Sequence, residues 1–147
     1  MVQIERVDAK DIVPLRARIL RPEGPVHEVL FVEDLMPESI HLAAYCPEGN
    51  LVGCVSALPS EHDGKPAMWL RAMAIDTVHQ GTGIGHSLLL EVEKRIKACK
   101  GKFLHIWCNA RLNRKEFYTR HGFIETQDPT FKNGKAGESI KLIRRCL

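Results

Sequence analysis

The stretch MAIDTVHQGTGIGH, residues 73–86, decides the fold of this chain. An apolar segment runs into three glycines at alternate positions, and an amphipathic helical pattern begins at the glycines. The first turn of a helix leaves backbone N–H groups without partners, and the helix dipole adds partial positive charge there. Glycines let a phosphate approach these N–H groups without steric interference. The segment therefore indicates a pyrophosphate cradle, with a tightly packed strand-to-helix turn as the plainer alternative.

Two other glycine-rich nucleotide sites fit the sequence poorly. A P-loop requires a lysine followed by serine or threonine after its last glycine, whereas His86 and Ser87 follow Gly85 here. A dinucleotide-binding fold requires G-x-G-x-x-G after its first strand and an acidic residue at the end of the next strand. Here the glycines lie late in the chain, and the next predicted strand ends in Asn109.

The residues before the glycine stretch predict one helix and three strands. Apolar residues at helical spacing predict a helix over Asp8–Leu20, and the proline- and glycine-rich segment 21–38 predicts a long loop. Ser39–Tyr45 and Leu51–Leu58 read as strands of an antiparallel hairpin. The nearly apolar Ala67–Ile75 is typical of a strand buried on both faces.

The residues after the glycines alternate between helices and strands. The predicted elements are a helix from Ile84 that ends at Gly101, a strand over Phe103–Cys108, a short helix over Arg111–His121, and final strands over Phe123–Thr126 and Ser139–Ile143. With a first strand before the first helix, the order is β-α-(α)-β-β-β-α-β-α-β-β. This order predicts a mixed central sheet with helices packed on it.

Composition restricts the class of protein. The chain has 147 residues, 44% hydrophobic and 27% charged, which is typical of one globular domain spanning 1–147. Lysine plus arginine number 21 and aspartate plus glutamate 18, so the net charge of +3 is too small to indicate a nucleic-acid partner. No apolar run approaches the roughly 20 residues that cross a bilayer, so no membrane partner is expected.

The cysteines and histidines indicate a compartment and argue against a metal. An odd number of cysteines without a C-x-x-C pair fits a reducing cytoplasm better than a disulfide framework or a zinc site, and the N-terminus lacks a secretory pattern. The histidines show no metal-ligand spacing, so we expect no metal.

Several segments resemble one known family. QGTGIG, residues 80–85, is similar to the Gln/Arg-x-x-Gly-x-Gly/Ala acyl-CoA pyrophosphate motif of the GNAT superfamily of N-acetyltransferases. FYTRHGF (117–123) and WCNAR (107–111) resemble the Phe-Tyr-x-x-x-Gly-Phe segment and the fifth strand of that family. LRP (20–22) and LRAMA (70–74) look like a small branch of it. The resemblance covers most of the chain.

The resemblance implies a fold and an activity. The fold is α/β (α+β), with a mixed, mostly antiparallel central sheet splayed between strands 4 and 5 and helices on both faces. The activity is direct transfer of the acetyl group of acetyl-CoA to a primary amine, with Tyr118 as general acid for the leaving thiolate. The residues implied to hold acetyl-CoA are Met73, Ala74, Ile75, Gln80, Gly81, Thr82, Gly83, Ile84, Gly85, His86 and Asn109.

Several residues are candidates for the general base and for binding of the acceptor. Glu33, Asp34 or His41 could remove the proton of the amine through water, although each also suits a structural role. We expect the long loop 21–38 to frame the acceptor, with Arg21, Glu33 and Asp34 as its polar candidates.

Arg71 has two possible roles. Period-two counting places it on the same side of its strand as Met73 and Ile75. It could form an internal ion pair or clamp a carboxylate of the substrate.

Two other functions stay open. One is transfer of a different acyl group, and the other is a catalytically weak acyl-CoA-binding domain that acts as a sensor or regulatory partner. The resemblance also admits a homodimer.

Overall fold

The computed structural model describes residues 1–134 and 137–146, which form eight strands and three α-helices. The strands are β1 (Gln3–Val7), β2 (Ile40–Tyr45), β3 (Leu51–His62), β4 (Lys65–Ile75), β5 (His105–Arg111), β6 (Ile124–Glu125), β7 (Phe131–Lys132) and β8 (Glu138–Arg145). The helices are α1 (Ala9–Leu20), α2 (Ile84–Lys97) and α3 (Lys115–Thr119). Short 3₁₀ turns cover Val26–Val29, Val32–Leu35, Thr77–His79 and Leu112–Arg114.

All eight strands join one sheet in the order β1-β2-β3-β4-β5-β8-β6, and β7 also pairs with β8. The pairing of β4 with β5 is parallel, and the other pairings are antiparallel. A parallel pair needs a crossover connection, which α2 supplies between β4 and β5. The predicted mixed, mostly antiparallel sheet is confirmed.

Helices cover both faces of this sheet. Ile12 and Leu15 of α1 pack on one face against small residues such as Ala43 and Ala74. The apolar stripe of α2 packs on the other face in a larger cluster, whose members from α2 are Ile84, Leu88, Leu89, Val92 and Ile96. Within the described residues, no helix combines the length and apolar character needed to cross a bilayer.

The hairpin of β3 and β4 extends further than the sequence pattern predicts. The predicted strand ends at Leu58, but the pairing continues to His62 opposite Lys65. Asp63 and Gly64 make the turn with φ of 51° and 74°. Asp-Gly suits a two-residue hairpin turn, because both residues tolerate positive φ. Backbone pairing therefore carries the strands past the apolar segment into a polar tip.

The chain after β5 also differs from the prediction. The predicted helix over Arg111–His121 is only five residues long, because β5 continues to Arg111 and a 3₁₀ turn follows. Pairing with β8, from His105 opposite Arg145 to Arg111 opposite Ser139, holds this end of β5 extended. The long-range pairing overrides local helix propensity.

A buried ion pair fixes the connection between α1 and β2. Arg16 of α1 is fully buried and contacts Asp34 through two hydrogen bonds of 2.9 and 3.0 Å. Arg16 also donates to the carbonyl of Val29 at 2.9 Å and to the hydroxyl of Ser56 at 2.7 Å. Asp34 in turn accepts from the backbone N–H of Phe31 at 3.0 Å. The loop is thereby attached to α1 and β3.

We expect Arg16→Met to lower the free energy of unfolding by about 3–5 kcal/mol, because it leaves the Asp34 carboxylate in a buried site without its partner. Denaturant-induced unfolding at neutral pH measures this loss.

The matched control is Arg18→Met on the same helix, whose exposed pair with Asp76 is 3.4 Å long. Exposed pairs contribute little, so this variant should unfold close to the wild type. Equal losses in the two variants would contradict the assignment of the buried pair as the anchor of the loop.

Candidate functional site

The parallel strands β4 and β5 separate partway along their length. They pair at Ala67, Met68 and Trp69, opposite His105, Ile106 and Trp107, and at no later described residue. The Trp69 and Trp107 rings stack there with centroids 4.7 Å apart and an angle of 10° between their planes. Beyond this stack, β4 has an edge that faces a gap instead of a neighbouring strand. An extended ligand can pair with such an edge.

A bulge in β4 lies inside the gap. On β3, Cys54 pairs with Ala74 and Ser56 pairs with Arg71, so β4 carries one extra residue at this point. Ala72 accommodates it with φ of 57°. The bulge breaks the alternation of side chains: Met73 and Ile75 pack with the cluster around α2, whereas Arg71 lies over the Phe31 ring beneath α1. The prediction that Arg71 shares a side with Met73 and Ile75 is wrong for this reason.

The segment at the start of α2 presents a run of unpaired backbone donors. Within the described chain, the backbone N–H groups from Gly81 to His86 have no acceptor, and the helical pattern begins with Ser87 donating to Gly83 at 3.1 Å. Gly83 is the N-cap with φ of 89°, and Gly81 has φ of 79°. Residues 81–83 are exposed. Their donors, together with the dipole of a 14-residue helix, can bind an anionic group.

Two side chains of this segment stabilise the turn itself. The amide of Gln80 donates to the carbonyl of Ile75 at 3.1 Å, and the hydroxyl of Thr82 donates to the carbonyl of His79 at 2.5 Å. The bond from Gln80 ties the turn to the end of β4, and the bond from Thr82 lies within the turn. The predicted contribution of Gln80 and Thr82 to binding therefore rests on their backbone groups.

The start of α2 also meets β4 and α3. A Cβ atom built on Gly85 would lie 3.5 Å from the Met73 sulfur and 3.5 Å from the Phe117 ring, which shows how closely the three elements approach. His86 shares a 2.7 Å hydrogen bond with His121, and His121 donates from Nδ1 to the Phe117 carbonyl at 2.9 Å. The glycine stretch is thus connected to the helix that carries Tyr118.

Tyr118 packs in the hydrophobic cluster on the α2 face of the sheet. Its ring contacts Phe117 and Phe123 edge-on, with centroids 5.0 and 5.7 Å away. Burial raises the pKa of the Tyr118 phenol, and the neighbouring Cys108 adds to this shift. Burial also raises the pKa of the Cys108 thiol to about 12. At neutral pH the phenol is therefore a proton donor and the thiol is not a nucleophile.

Asn109 lies on β5 two residues past the last pairing with β4, where it pairs with Lys141 of β8. It is half-buried, and its side-chain amide has no hydrogen-bond partner among the residues that the structure describes. An amide in this position can donate and accept hydrogen bonds across the mouth of the gap.

Comparison with known proteins identifies the family. Residues 26–137, more than half of the chain, match the family model for the acetyltransferase (GNAT) domain. The chain belongs to the GNAT acetyltransferase family. This confirms the family indicated by the sequence motifs, and with it an acyltransferase function.

Individual relatives agree with this assignment. The chain is 26% identical over 132 residues to YitI of Bacillus subtilis strain 168, an uncharacterized N-acetyltransferase, covering 88% of this chain and 87% of YitI. The crystal structure of Escherichia coli ElaA superimposes with a TM-score of 0.81 at 16% identity, covering 98% of this chain and 99% of ElaA. An aminoglycoside 6'-N-acetyltransferase complexed with coenzyme A gives a TM-score of 0.75 at 18% identity, covering 99% and 97%. At these identities the two structures show the fold alone.

The GNAT sheet places two of the predicted acceptor residues in a buried network. The Ser56 hydroxyl accepts a hydrogen bond from Arg16, so it donates its own hydrogen to Nδ1 of His41 at 2.7 Å. His41 in turn donates from Nε2 to the backbone carbonyl of Asp34 at 2.9 Å. The Asp34 carboxylate is bound by Arg16 and by the Phe31 N–H. Both side chains are buried and their hydrogen-bonding groups are occupied. They therefore position the loop, and we do not assign them to binding of the acceptor.

Burial and hydrogen bonds shift the pKa values of Asp34 and His41 in this network. Burial alone would raise the pKa of Asp34, but hydrogen bonds from Arg16 and the Phe31 N–H hold it below its usual value. Burial lowers the pKa of His41, against the opposing effect of its bond to Asp34. His41 is therefore neutral in the folded protein at neutral pH.

The other two predicted acceptor residues, Arg21 and Arg71, are half-buried. Arg21, at the end of α1, donates to the Leu20 carbonyl at 2.7 Å and pairs with Glu28 at 3.5 Å. Arg71 lies between the Phe31 and Trp69 rings, with its guanidinium carbon 3.9 and 4.1 Å from their centroids. The contribution of Phe31 was not predicted, because no sequence signal links a loop residue to a strand 40 positions later.

The neutral state of His41 predicts a pH dependence of stability. An unfolded histidine takes up a proton near pH 6.5, whereas folded His41 resists it, so the unfolded state binds more protons as the pH falls. We expect the free energy of unfolding to decrease from about pH 7.5 to about pH 5.5 and the decrease to be smaller in His41→Gln. Denaturant unfolding at several pH values measures both slopes.

His27→Gln, which makes the same change at an exposed histidine, is the matched control. Burial also lowers the pKa of His105, but its contribution is common to all three proteins. A wild-type slope in His41→Gln would show that His41 does not resist protonation.

Proposed function

We propose that this GNAT protein transfers the acetyl group of acetyl-CoA to a primary amine by direct attack. The observation that carries the proposal is the run of unpaired backbone donors from Gly81 to His86 at the start of α2, next to the open edge of β4. A diphosphate fits these donors, because it offers negatively charged acceptors to N–H groups and to a helix N-terminus. The free thiols throughout the chain support the reducing cytoplasm as its location.

Each part of the gap has a role in holding the donor. The N–H groups of residues 81–86 would bind the diphosphate, and the unpaired edge at Met73, Ala74 and Ile75 would pair with the amides of the pantetheine arm. The unpartnered amide of Asn109 supports a contact with the same arm from the other strand. When bound, acetyl-CoA supplies a thioester whose carbonyl carbon is open to attack by an amine.

The chain contributes charge stabilisation and a proton. A backbone N–H at the bulge near Met73 would stabilise the negative charge that develops on the carbonyl oxygen. The new C–N bond forms as the C–S bond breaks, and the Tyr118 hydroxyl gives its proton to the departing thiolate. The phenol suits this role because burial raises its pKa and keeps the proton available. Solvent then returns a proton to Tyr118.

The amine must also lose a proton. Of the three acceptor-side candidates, Asp34 and His41 are occupied in the buried network. The Glu33 side chain has no hydrogen bond or ion pair among the described residues, and its charge acts on Arg71. We therefore infer that the Glu33 carboxylate takes the proton of the amine through water.

Calorimetry with acetyl-CoA tests the donor site. We expect Gly83→Ala to raise the dissociation constant about tenfold or more, since alanine disfavours φ of 89° and moves the N–H groups away from the diphosphate. Gly49→Ala is the matched control, because Gly49 has φ of 86° and equally open surroundings but lies in the turn between β2 and β3. Both variants should lose similar stability, and only Gly83→Ala should lose affinity.

A thiol-release assay with acetyl-CoA separates the proposed enzyme from a sensor. Release of free thiol from acetyl-CoA with any amine in a broad panel supports transfer. Binding without release across the panel favours a regulatory domain, and release only from other acyl-CoA thioesters would change the acyl group. Absence of binding at millimolar acetyl-CoA would contradict the proposal.

Tyr118→Phe tests the general acid. We expect kcat to fall at least about tenfold with little change in acetyl-CoA affinity, because the ring packing is kept and only the proton donor is lost. Steady-state thiol release and calorimetry measure the two quantities. Tyr45→Phe, which changes the other tyrosine of the chain, is the control. Unchanged turnover in Tyr118→Phe would remove this residue from the mechanism.

A further inference from the structure

A row of cationic and aromatic side chains crosses the closed end of the gap on the face opposite α2. Its members are stacked in the order Phe31, Arg71, Trp69, Trp107 and Lys141. The guanidinium carbon of Arg71 lies 3.9 Å from the Phe31 centroid and 4.1 Å from the Trp69 centroid, and the Lys141 ammonium lies 4.5 Å from Trp107. Such contacts stabilise a cation without using its N–H groups.

Arg71 retains its full capacity to bind an anion. Among the described residues its guanidinium makes no hydrogen bond and has no carboxylate within 4.0 Å. The rings of Phe31 and Trp69 cover the guanidinium, so the N–H groups at its edge are the part left for a partner. Burial lowers the pKa of Arg71 and the charge of Glu33 opposes this, but a guanidinium stays charged at neutral pH. A half-buried, unpaired guanidinium is suited to a bidentate carboxylate.

The structure holds Arg71 in place from both sides. Phe31 is fixed by its backbone bond to Asp34 at 3.0 Å, and the Arg16 guanidinium lies 4.6 Å from the same ring. Trp69 is fixed by its stack on Trp107. The guanidinium is therefore preorganised, which lowers the entropic cost of binding an anion.

The position of Arg71 relates it to the reaction. It precedes Met73, where the proposed thioester would lie, by two residues of β4, so the two Cα atoms lie at most about 7 Å apart, on opposite faces of the strand because of the bulge at Ala72. This distance matches a small molecule that carries an amine at one end and a carboxylate at the other. Lys141, whose nearest polar partner is His62 at 3.3 Å, adds a second cation without a carboxylate partner in the described chain.

We propose that Arg71 is the carboxylate clamp of the acceptor site and that the acceptor is a small amine bearing a carboxylate, of the size of an amino acid. The inference rests on the acetyl transfer proposed above and names the substrate class of that site. Arg71 binds the carboxylate through its free N–H edge, and the amine lies toward Met73. Lys141 raises the positive potential of the same face and favours anionic over neutral acceptors.

The test compares each L-amino acid with its carboxamide as acceptor, by thiol release from acetyl-CoA. The measured quantity is the ratio of kcat/KM for the acid to kcat/KM for the amide, in which the different basicity of the two amines cancels between enzyme variants. We expect this ratio to be at least about tenfold higher in the wild type than in Arg71→Gln. Arg71→Lys should give an intermediate ratio, because it keeps the charge but loses the planar fork.

Two controls separate the clamp from general effects. Arg95→Gln removes an equal charge from α2, where Arg95 pairs with Glu91 at 2.8 Å, and should keep the wild-type ratio. Calorimetry with acetyl-CoA should give similar dissociation constants for all four proteins. If Arg71→Gln fails to fold, the acid-to-amide ratio is compared between the wild type and Arg71→Lys instead.

Binding of N-acetyl-L-amino acids and their carboxamides to the complex with CoA decides the clamp without turnover. Carboxylate-selective binding that depends on Arg71 supports it even if no tested amine reacts. An equal acid-to-amide ratio in the wild type and Arg71→Gln, no selectivity for the N-acetyl acids, or weaker acetyl-CoA binding in Arg71→Gln would overturn it. If the wild type does not bind acetyl-CoA, the proposed function fails and not the clamp alone.

Discussion

The structure depends on the point at which β4 and β5 stop pairing. Parallel strands share a regular set of hydrogen bonds, and here that set ends at the stacked Trp69 and Trp107. A bulge at Ala72 then changes the course of β4, because an extra residue increases local twist. The unpaired edge of β4 and the start of α2 adjoin the resulting gap, and Tyr118 packs in the cluster on the same face as α2. A continuous sheet would leave no space for a ligand between these elements.

The gap has two chemically distinct sides. On the side of α2, backbone N–H groups from Gly81 to His86 provide neutral donors and a helix dipole, which suit phosphate. On the side of α1, the row that includes Arg71 and Lys141 provides cationic side chains. A donor and an acceptor can therefore approach the same stretch of β4 from opposite faces.

The buried pair of Arg16 and Asp34 links the fold to the acceptor side. It attaches the segment between α1 and β2 to the sheet, and through the Phe31 N–H it sets the ring that covers Arg71. Removing the pair would disturb both the loop and the ring. This explains why polar residues of the loop that look available in the sequence, Asp34 among them, are buried.

The sequence alone indicated the family, every strand except β7 and the segment proposed to hold the donor, because these depend on local patterns: the glycine spacing at 81–85, the apolar strand segments and an amphipathic α2. It also singled out Tyr118 from a short motif. The tertiary structure alone decided which face Arg71 occupies, since the bulge at Ala72 arises from pairing with β3 and reverses the alternation expected from the sequence. It likewise decided that Asp34 and His41 are buried, because their partners come from α1 and β3, far away in the chain.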